Sequence, residues 1–126
     1  MDTILYCEDD SISLEQGLKA IREILPQHKL IEASSVDEAL FKITNSISSL
    51  KYVITDGFLL GAECGWDLAE KLRQMKYEGP IIYYGNAMIP SDKNYLFTEQ
   101  FWKGFKSYNE RKDDFLYIFS HYLNNP

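Results

Sequence analysis

Acidic residues and one lysine follow the apolar runs of the chain. Glu8 and Asp9 come directly after Ile-Leu-Tyr-Cys, Asp56 follows Tyr-Val-Ile-Thr, and Lys103 follows Phe-Trp. Carboxylates repel one another, so three of them brought together favour a cation that offsets their charge. A hard divalent ion with oxygen ligands, Mg²⁺ above all, suits such a group. With that ion and the Lys103 ammonium nearby, an aspartate oxygen could attack an incoming phosphoryl group.

Short apolar runs alternate with helical patterns along the chain, which is typical of a parallel sheet built from strand–helix units. Five strands are predicted, around residues 4–7, 30–31, 52–55, 81–84 and 101–102. In a doubly wound sheet, ligands bind beyond the carboxyl ends of the strands. The acidic residues and the lysine should therefore converge at that edge, together with Gly85 and Asn86 after the fourth strand.

Helices are predicted between these strands from apolar residues that recur at helical spacing. The first helix ends at Pro26, and capping boxes begin the second at Ser35 and the last at Ser107. A fourth helix within residues 85–98 should be short or distorted, because the segment contains Pro90 and few periodic apolar positions. The last helix should bury the side chains of Phe115, Ile118, Phe119 and Tyr122.

Length and composition indicate a single domain over residues 1–126. A hydrophobic fraction of 45% is enough for a core, and no apolar run reaches the length of a membrane span. Cys7 and Cys64 form neither a CxxC pair nor a disulfide framework. The net charge of −6 argues against nucleic acid, because phosphate backbones need a basic face. We therefore expect a soluble, cytoplasmic protein with no membrane attachment.

The order of these motifs resembles the receiver domain of two-component response regulators. The acidic pair at 8–9, the aspartate at 56, Pro-Ile-Ile at 80–82 and Lys-Gly-Phe at 103–105 occur in that family's order. Gly-Trp-Asp-Leu-Ala at 65–69 is similar to the start of its third helix, and the resemblance covers essentially the whole chain. It implies a flavodoxin-like α/β fold, a doubly wound five-stranded parallel sheet in the order 2-1-3-4-5 with helices on both faces.

The resemblance also implies roles for the residues at the edge. Asp56 would be the phosphoacceptor, and Lys103 would contact the phosphoryl group. Magnesium would be held by Glu8 and Asp9, by Asp56 itself and by the backbone carbonyl of Phe58. Two further residues, Gly85 and Asn86, would border the phosphoryl group.

The implied function is signalling rather than enzyme catalysis. Asp56 would take a phosphoryl group from a histidine kinase or a histidine phosphotransfer protein, as one step of a phosphorelay. The chain would then act through contacts with a downstream protein target. Homodimerisation is left open by the sequence.

The end of the fourth strand departs from the family pattern. The family has a serine or threonine there, whose hydroxyl meets the phosphoryl group, whereas this chain has Gly85 or, in a shifted alignment, Tyr84. The aromatic residue usual three positions before the lysine is replaced by Gln100, with Phe101 one residue further on. We therefore expect phosphorylation not to be relayed by the family's hydroxyl and aromatic ring.

Two other functions stay open. A degenerate receiver would bind its partner without phosphorylation, which the missing hydroxyl favours and the retained acidic residues and lysine oppose. A small Mg²⁺-dependent phosphohydrolase would use Asp56 as its nucleophile, but it usually needs a nearby general acid or base, and Asp-Gly-Phe at 56–58 offers none. It also needs a cap over its substrate, for which the length leaves no room, so it ranks last.

Overall fold

Five strands form one parallel sheet. A computed structural model describes residues 2–123, with side-chain surroundings described to residue 121. The strands are β1 (Thr3–Cys7), β2 (Lys29–Ala33), β3 (Leu50–Thr55), β4 (Ile81–Gly85) and β5 (Glu99–Trp102). Their order across the sheet is β2-β1-β3-β4-β5 and all neighbours are parallel. The predicted fold class and sheet order are confirmed.

Helices cover both faces of this sheet. They are α1 (Ser11–Ile24), α2 (Val36–Ile43), α3 (Gly65–Gln74) and α4 (Tyr108–Leu123). The capping box predicted at Ser107 is complete: Ser107 Oγ accepts from Glu110 N at 3.2 Å and Glu110 Oε1 accepts from Ser107 N at 2.9 Å. The one predicted at Ser35 is half present, because Ser35 Oγ accepts from Glu38 N at 3.1 Å whereas the Glu38 carboxylate accepts from Ser34 N. None of the helices within residues 2–123 combines the length and the apolar character needed to cross a bilayer.

The connection between β4 and β5 contains no α-helix within residues 86–98. A 3₁₀ helix, Ser91–Leu96, takes its place and begins directly after Pro90. Proline cannot donate a backbone hydrogen bond, and the few apolar side chains of this segment give a longer helix little to bury. The prediction of a short or distorted fourth helix is therefore confirmed. A second 3₁₀ helix, Ile47–Ser49, precedes β3.

Alternation along the strands divides the core into two layers. One layer lies under α1 and α4 and contains Tyr6, Ile54 and Tyr84 from the strands. The other lies under α2 and α3 and contains Leu5, Val53, Ile81 and Tyr83, among others. The predicted burial of Phe115, Ile118 and Phe119 on α4 is confirmed, while the side chain of Tyr122 lies outside the described residues.

Phe115 tests this packing. Its ring is fully buried, with its centroid 5.2 Å from that of Tyr84 and 5.9 Å from that of Tyr6. Phe115→Ala should lower the free energy of unfolding by about 3–5 kcal/mol, because a cavity is left between α4 and the sheet. Leu116→Ala, next on the same helix and 45% exposed, should change it by less than about 1 kcal/mol. Urea denaturation measures both, and equal losses would contradict the described core.

Candidate functional site

Glu8, Asp56 and Lys103 meet at the carboxyl edge of the sheet. Lys103 Nζ donates to Glu8 Oε1 at 2.7 Å and to Asp56 Oδ2 at 2.9 Å. All three side chains are buried, whereas Asp9 is exposed beside them. The structure thus brings together the three acidic residues and the lysine that the sequence singled out.

Backbone hydrogen bonds fix the positions of these residues. Asp56 N donates to Cys7 O at 3.0 Å, and Glu8 N donates to Ala33 O at 3.0 Å, so the sheet pairing continues one residue past β1 and β3. In the same way, Lys103 N donates to Gly85 O at 3.0 Å. The ionic groups therefore project from sheet backbone rather than from long loops.

The remaining carboxylate oxygens are also held. Asp56 Oδ1 accepts from Gly57 N at 2.7 Å. Glu8 Oε2 accepts from the amides of Asp9 and Asp10, at 3.1 and 3.3 Å. Hydrogen bonds of this kind satisfy buried carboxylate oxygens and fix their orientation.

Negative charge exceeds positive charge at this edge. Burial, followed by the neighbouring Asp56, raises the pKa of Glu8 to about 8, although Lys103 acts in the opposite direction. Burial alone would lower the pKa of Lys103, but its hydrogen bonds to Glu8 and Asp56 outweigh burial and the pKa is raised. Lys103 is therefore a cation shared between two carboxylates, with Asp9 as a third acid nearby.

The three carboxylates fit a hard divalent cation. Glu8, Asp9 and Asp56 each offer an oxygen, and these oxygens lie within 4.8 Å of one another. An all-oxygen donor set with excess negative charge is the kind that Mg²⁺ prefers. Phe58 is two residues beyond Asp56 and pairs with Cys64 in an isolated bridge. Its carbonyl as a metal ligand stays a prediction.

The loop after Asp56 returns to the same edge. Gly65, the first residue of α3, donates its backbone N–H to Gly57 O at 2.7 Å. A Cβ at position 65 would collide with the backbone carbonyl of Asp56, so only glycine allows α3 to begin this close. The hydrogen bond between Gly65 and Gly57 therefore brings both ends of the loop beside Asp56.

The end of β4 packs directly against Asp56. A Cβ on Gly85 would lie 2.5 Å from Asp56 Oδ1, too close for any side chain in this arrangement. Tyr84 points elsewhere, because its hydroxyl donates to Asp114 Oδ2 on α4 at 2.7 Å. Of the two alignments that the sequence left open, the structure therefore places Gly85, and not Tyr84, beside the carboxylate.

A hydroxyl group that the sequence analysis missed lies at this edge. The Cβ position on Gly85 is also 2.6 Å from the hydroxyl of Tyr83, so the phenol and the Asp56 carboxylate flank the same point. The hydroxyl donates to Ala87 O at 2.6 Å. Burial, followed by the charge of Asp56, raises the pKa of Tyr83 to about 12. The sequence pattern that could have identified Tyr83 is the alternation of side chains along a strand, which places residues 83 and 85 on the same face of the sheet.

Asn86 joins two loops at the rim of the site. Its Oδ1 accepts from Gly104 N at 2.6 Å, which ties the residue after β4 to the turn after Lys103. Gly104 has φ +60°, a conformation that glycine adopts without strain. The predicted roles of Asn86 and Gly85 at a phosphoryl group stay predictions.

Solved structures similar to this chain include chemotaxis and response-regulator receiver proteins. No family model matches the sequence, and no curated protein matches it. The chemotaxis protein CheY4 of Vibrio cholerae is 16% identical, with a TM-score of 0.77 over 98% of this chain and 99% of its own. A CheY-like receiver domain protein from Methanospirillum hungatei is 17% identical, with a TM-score of 0.78 over 98% and 94%.

A third similar structure was determined with a metal and a fluoride complex. The response regulator TrrA from Thermotoga maritima, in complex with Mg²⁺ and beryllium fluoride, is 21% identical, with a TM-score of 0.73 over 94% of this chain and 99% of its own. The chain therefore has the fold of CheY-like response-regulator receiver domains over nearly its whole length. The resemblance inferred from the motifs is confirmed for the fold.

Lys103 should be essential to the stability of the site. Lys103→Met leaves two buried carboxylates without their ammonium, so the free energy of unfolding should fall by about 3–5 kcal/mol in EDTA. Mg²⁺ should restore part of this loss, because it replaces the missing positive charge. Lys112→Met, which breaks a more exposed pair with Glu23, should cost much less, because solvent screens the charges of a surface pair. A loss in Lys103→Met no larger than in this control, measured by urea denaturation, would refute the role of the ion cluster.

Proposed function

We propose that this chain is the phosphoacceptor receiver domain of a two-component phosphorelay and that it takes a phosphoryl group on Asp56. The observation that carries the proposal is the buried cluster of Glu8, Asp56 and Lys103 at the carboxyl edge of a receiver-type sheet. A carboxylate beside a fixed ammonium has both a nucleophile and a positive charge for the incoming group. A phosphoacceptor site would by itself account for the burial of these three charged groups, without the cofactor and the partners proposed below.

Mg²⁺ is the cofactor that we propose. When bound, it would offset the charge of the transferred phosphoryl group and of the acidic residues. Glu8, Asp9 and Asp56 would hold it, with the carbonyl of Phe58 as a further ligand. The clustering of three carboxylate oxygens supports this assignment, as does the presence of Mg²⁺ in the TrrA structure of the same fold.

The transfer itself requires little from the protein beyond positioning. An oxygen of Asp56 would bond to phosphorus as the bond between phosphorus and a donor histidine nitrogen breaks, and the imidazole would leave with the electron pair. Lys103 would then bind a phosphoryl oxygen while Glu8 keeps its ammonium in place. The Gly57 amide would hold the acceptor carboxylate in one orientation.

The output would be a contact with another protein. Met88, Trp102 and Phe105 are exposed around the ends of β4 and β5, close to the proposed acceptor, and apolar groups of this kind suit a protein partner. We propose a histidine kinase or phosphotransfer protein as donor and a downstream protein as target, in the cytoplasm. Nucleic acid and membranes are not among the proposed partners, and the proposal fixes no oligomeric state.

A degenerate receiver is the second candidate. Gly85 favours it, because the position beside Asp56 Oδ1 has no side-chain hydroxyl that could meet a phosphoryl group. The exposed Asp9 and the two-way contact of Lys103 favour the phosphoacceptor instead. The phosphohydrolase stays the last alternative, because Glu8, the acid beside Asp56, is already bound to Lys103 and to two backbone amides.

Phosphorylation of Asp56 is the direct test. Incubation with acetyl phosphate and Mg²⁺ should add one phosphoryl group to the native chain and none to Asp56→Asn, as read by intact-protein mass. EDTA should suppress the addition, because the charge of the phosphoryl group is then less well offset. Asp92→Asn, at an exposed position on the 3₁₀ helix, is the matched control and should behave like the native chain. An unmodified native chain under excess donor would favour the degenerate receiver.

Tyr83 should carry the response to phosphorylation into the loop after β4. Its hydroxyl holds Ala87 O and flanks the Asp56 carboxylate, so new oxygens on Asp56 compete for the same donor. Beryllofluoride with Mg²⁺ should shift backbone amides of residues 86–90 in the native chain, and Tyr83→Phe should lose most of these shifts. Shifts at Asp56 should persist in the variant. Tyr95→Phe, with an exposed ring, is the control; equal loop shifts in Tyr83→Phe would exclude this route.

A further inference from the structure

Arg111 is a buried cation that has no hydrogen-bonded anion among the described residues. The residue is 4% exposed, and its Nε and Nη1 have no hydrogen-bond partner among the described residues. The ring of Tyr84 lies 5.9 Å from the guanidinium carbon. Arginine does not lose its proton in proteins, and a buried charge is costly unless it is paired. The position therefore calls for a negative group that the nearby side chains do not provide.

The carboxylates around Arg111 are engaged elsewhere. Asp114 Oδ2 accepts from the Tyr84 hydroxyl and from Lys106 Nζ, both at 2.7 Å. Asp10 is exposed and caps α1 by accepting from Ser13 N at 2.8 Å. The two buried carboxylates of the candidate site bind Lys103, as described above.

Arg111 lines a cavity of about 510 Å³ between the beginnings of α1 and α4. Two more cationic side chains, Lys103 and Lys106, lie in its wall, and Asp10 is the one acid among the described residues that line it. The amino-terminal ends of two helices add further positive potential, because α1 and α4 both begin at this cavity. Because Lys103 and Lys106 are both bound to acids, Arg111 is the cation of this cavity that has no bonded acid among the described residues.

We propose that this cavity binds an oxyanion, a phosphate or carboxylate group, that pairs with Arg111. The planar guanidinium fork matches the oxygens of both groups, and its binding to them is stronger than that of an ordinary hydrogen bond. The volume accommodates such a group together with a small organic substituent. The site is separate from the proposed phosphoacceptor, because the Lys103 ammonium that borders both is already bound to Glu8 and Asp56.

Titration with inorganic phosphate tests the site without any phosphorylation of Asp56. The ¹⁵N-labelled full chain in EDTA should show saturable shifts of the Arg111 Nε–Hε signal and of backbone amides of residues 104–111. Arg111→Gln should weaken binding about tenfold or more, because a charged hydrogen-bond donor is lost. Lys112→Gln, at the neighbouring position and paired with Glu23, is the matched control and should leave the affinity unchanged.

Asp10→Asn gives a test in the opposite direction. It removes the negative charge from the cavity wall, and asparagine is as good a helix cap as aspartate, so phosphate binding should become several-fold tighter. This variant decides the question even where Arg111→Gln does not fold. Unchanged affinity in Asp10→Asn, or shifts that do not saturate or that persist in Arg111→Gln, would overturn the proposal.

Two probes then distinguish the source of the group. Glycerol phosphate represents a free metabolite, and a short phosphoserine peptide represents a modified partner protein. Tighter binding of either one, with the same dependence on Arg111, assigns the source. Because Asp56 takes no part in these titrations, their failure would leave the proposed phosphoacceptor function untouched, and failed phosphorylation of Asp56 would leave this site untouched.

Discussion

Lys103 binds Glu8 and Asp56 at the same time, and the arrangement of the sheet edge depends on this contact. The lysine follows β5, whereas the two carboxylates follow β1 and β3, so its side chain must cross the end of β4 to reach them. Gly85 lies at the end of β4, where an added Cβ would be too close to Asp56 Oδ1. The present positions of the Asp56 carboxylate and the Tyr83 hydroxyl therefore depend on glycine at the end of β4, while the salt bridge depends on the order of the strands.

A glycine at this position also changes which side chain can respond to new charge on Asp56. The space above Gly85 is bordered by the hydroxyl of Tyr83, which comes from within β4 and from the layer under α2 and α3. The ring of Tyr83 packs edge-on against Phe97, with centroids 5.5 Å apart. The hydroxyl is therefore held by a ring that packs in the core and not by a ring on the surface. A change in its hydrogen bond to Ala87 would therefore act on both ends of the connection between β4 and β5, at Ala87 and at Phe97.

Much of this architecture could be predicted from the sequence, because strand ends in a parallel sheet meet at one edge whatever the loops do. That rule was enough to bring Glu8, Asp56 and Lys103 together. It was not enough for Tyr83, whose hydroxyl and the Asp56 carboxylate flank the point that a side chain at position 85 would fill. Arg111 was missed for another reason. It lies four residues before Phe115, a spacing that places it on the buried face of α4, but arginine is a residue type usually found at the surface.

The connection from β5 to α4 carries the positive charge of this end of the molecule. Lys103 faces the acidic edge, while Lys106 and Arg111 face the cavity between α1 and α4. A buried cation without a bonded anion destabilises the fold by itself, so a position like that of Arg111 persists more easily where binding of an anion compensates it. The two sites then share one wall. If both proposed sites are occupied, negative charge added at Asp56 would draw on Lys103 and an anion beside Arg111 would act on the same short segment, so each group would change the electrostatic field at the other.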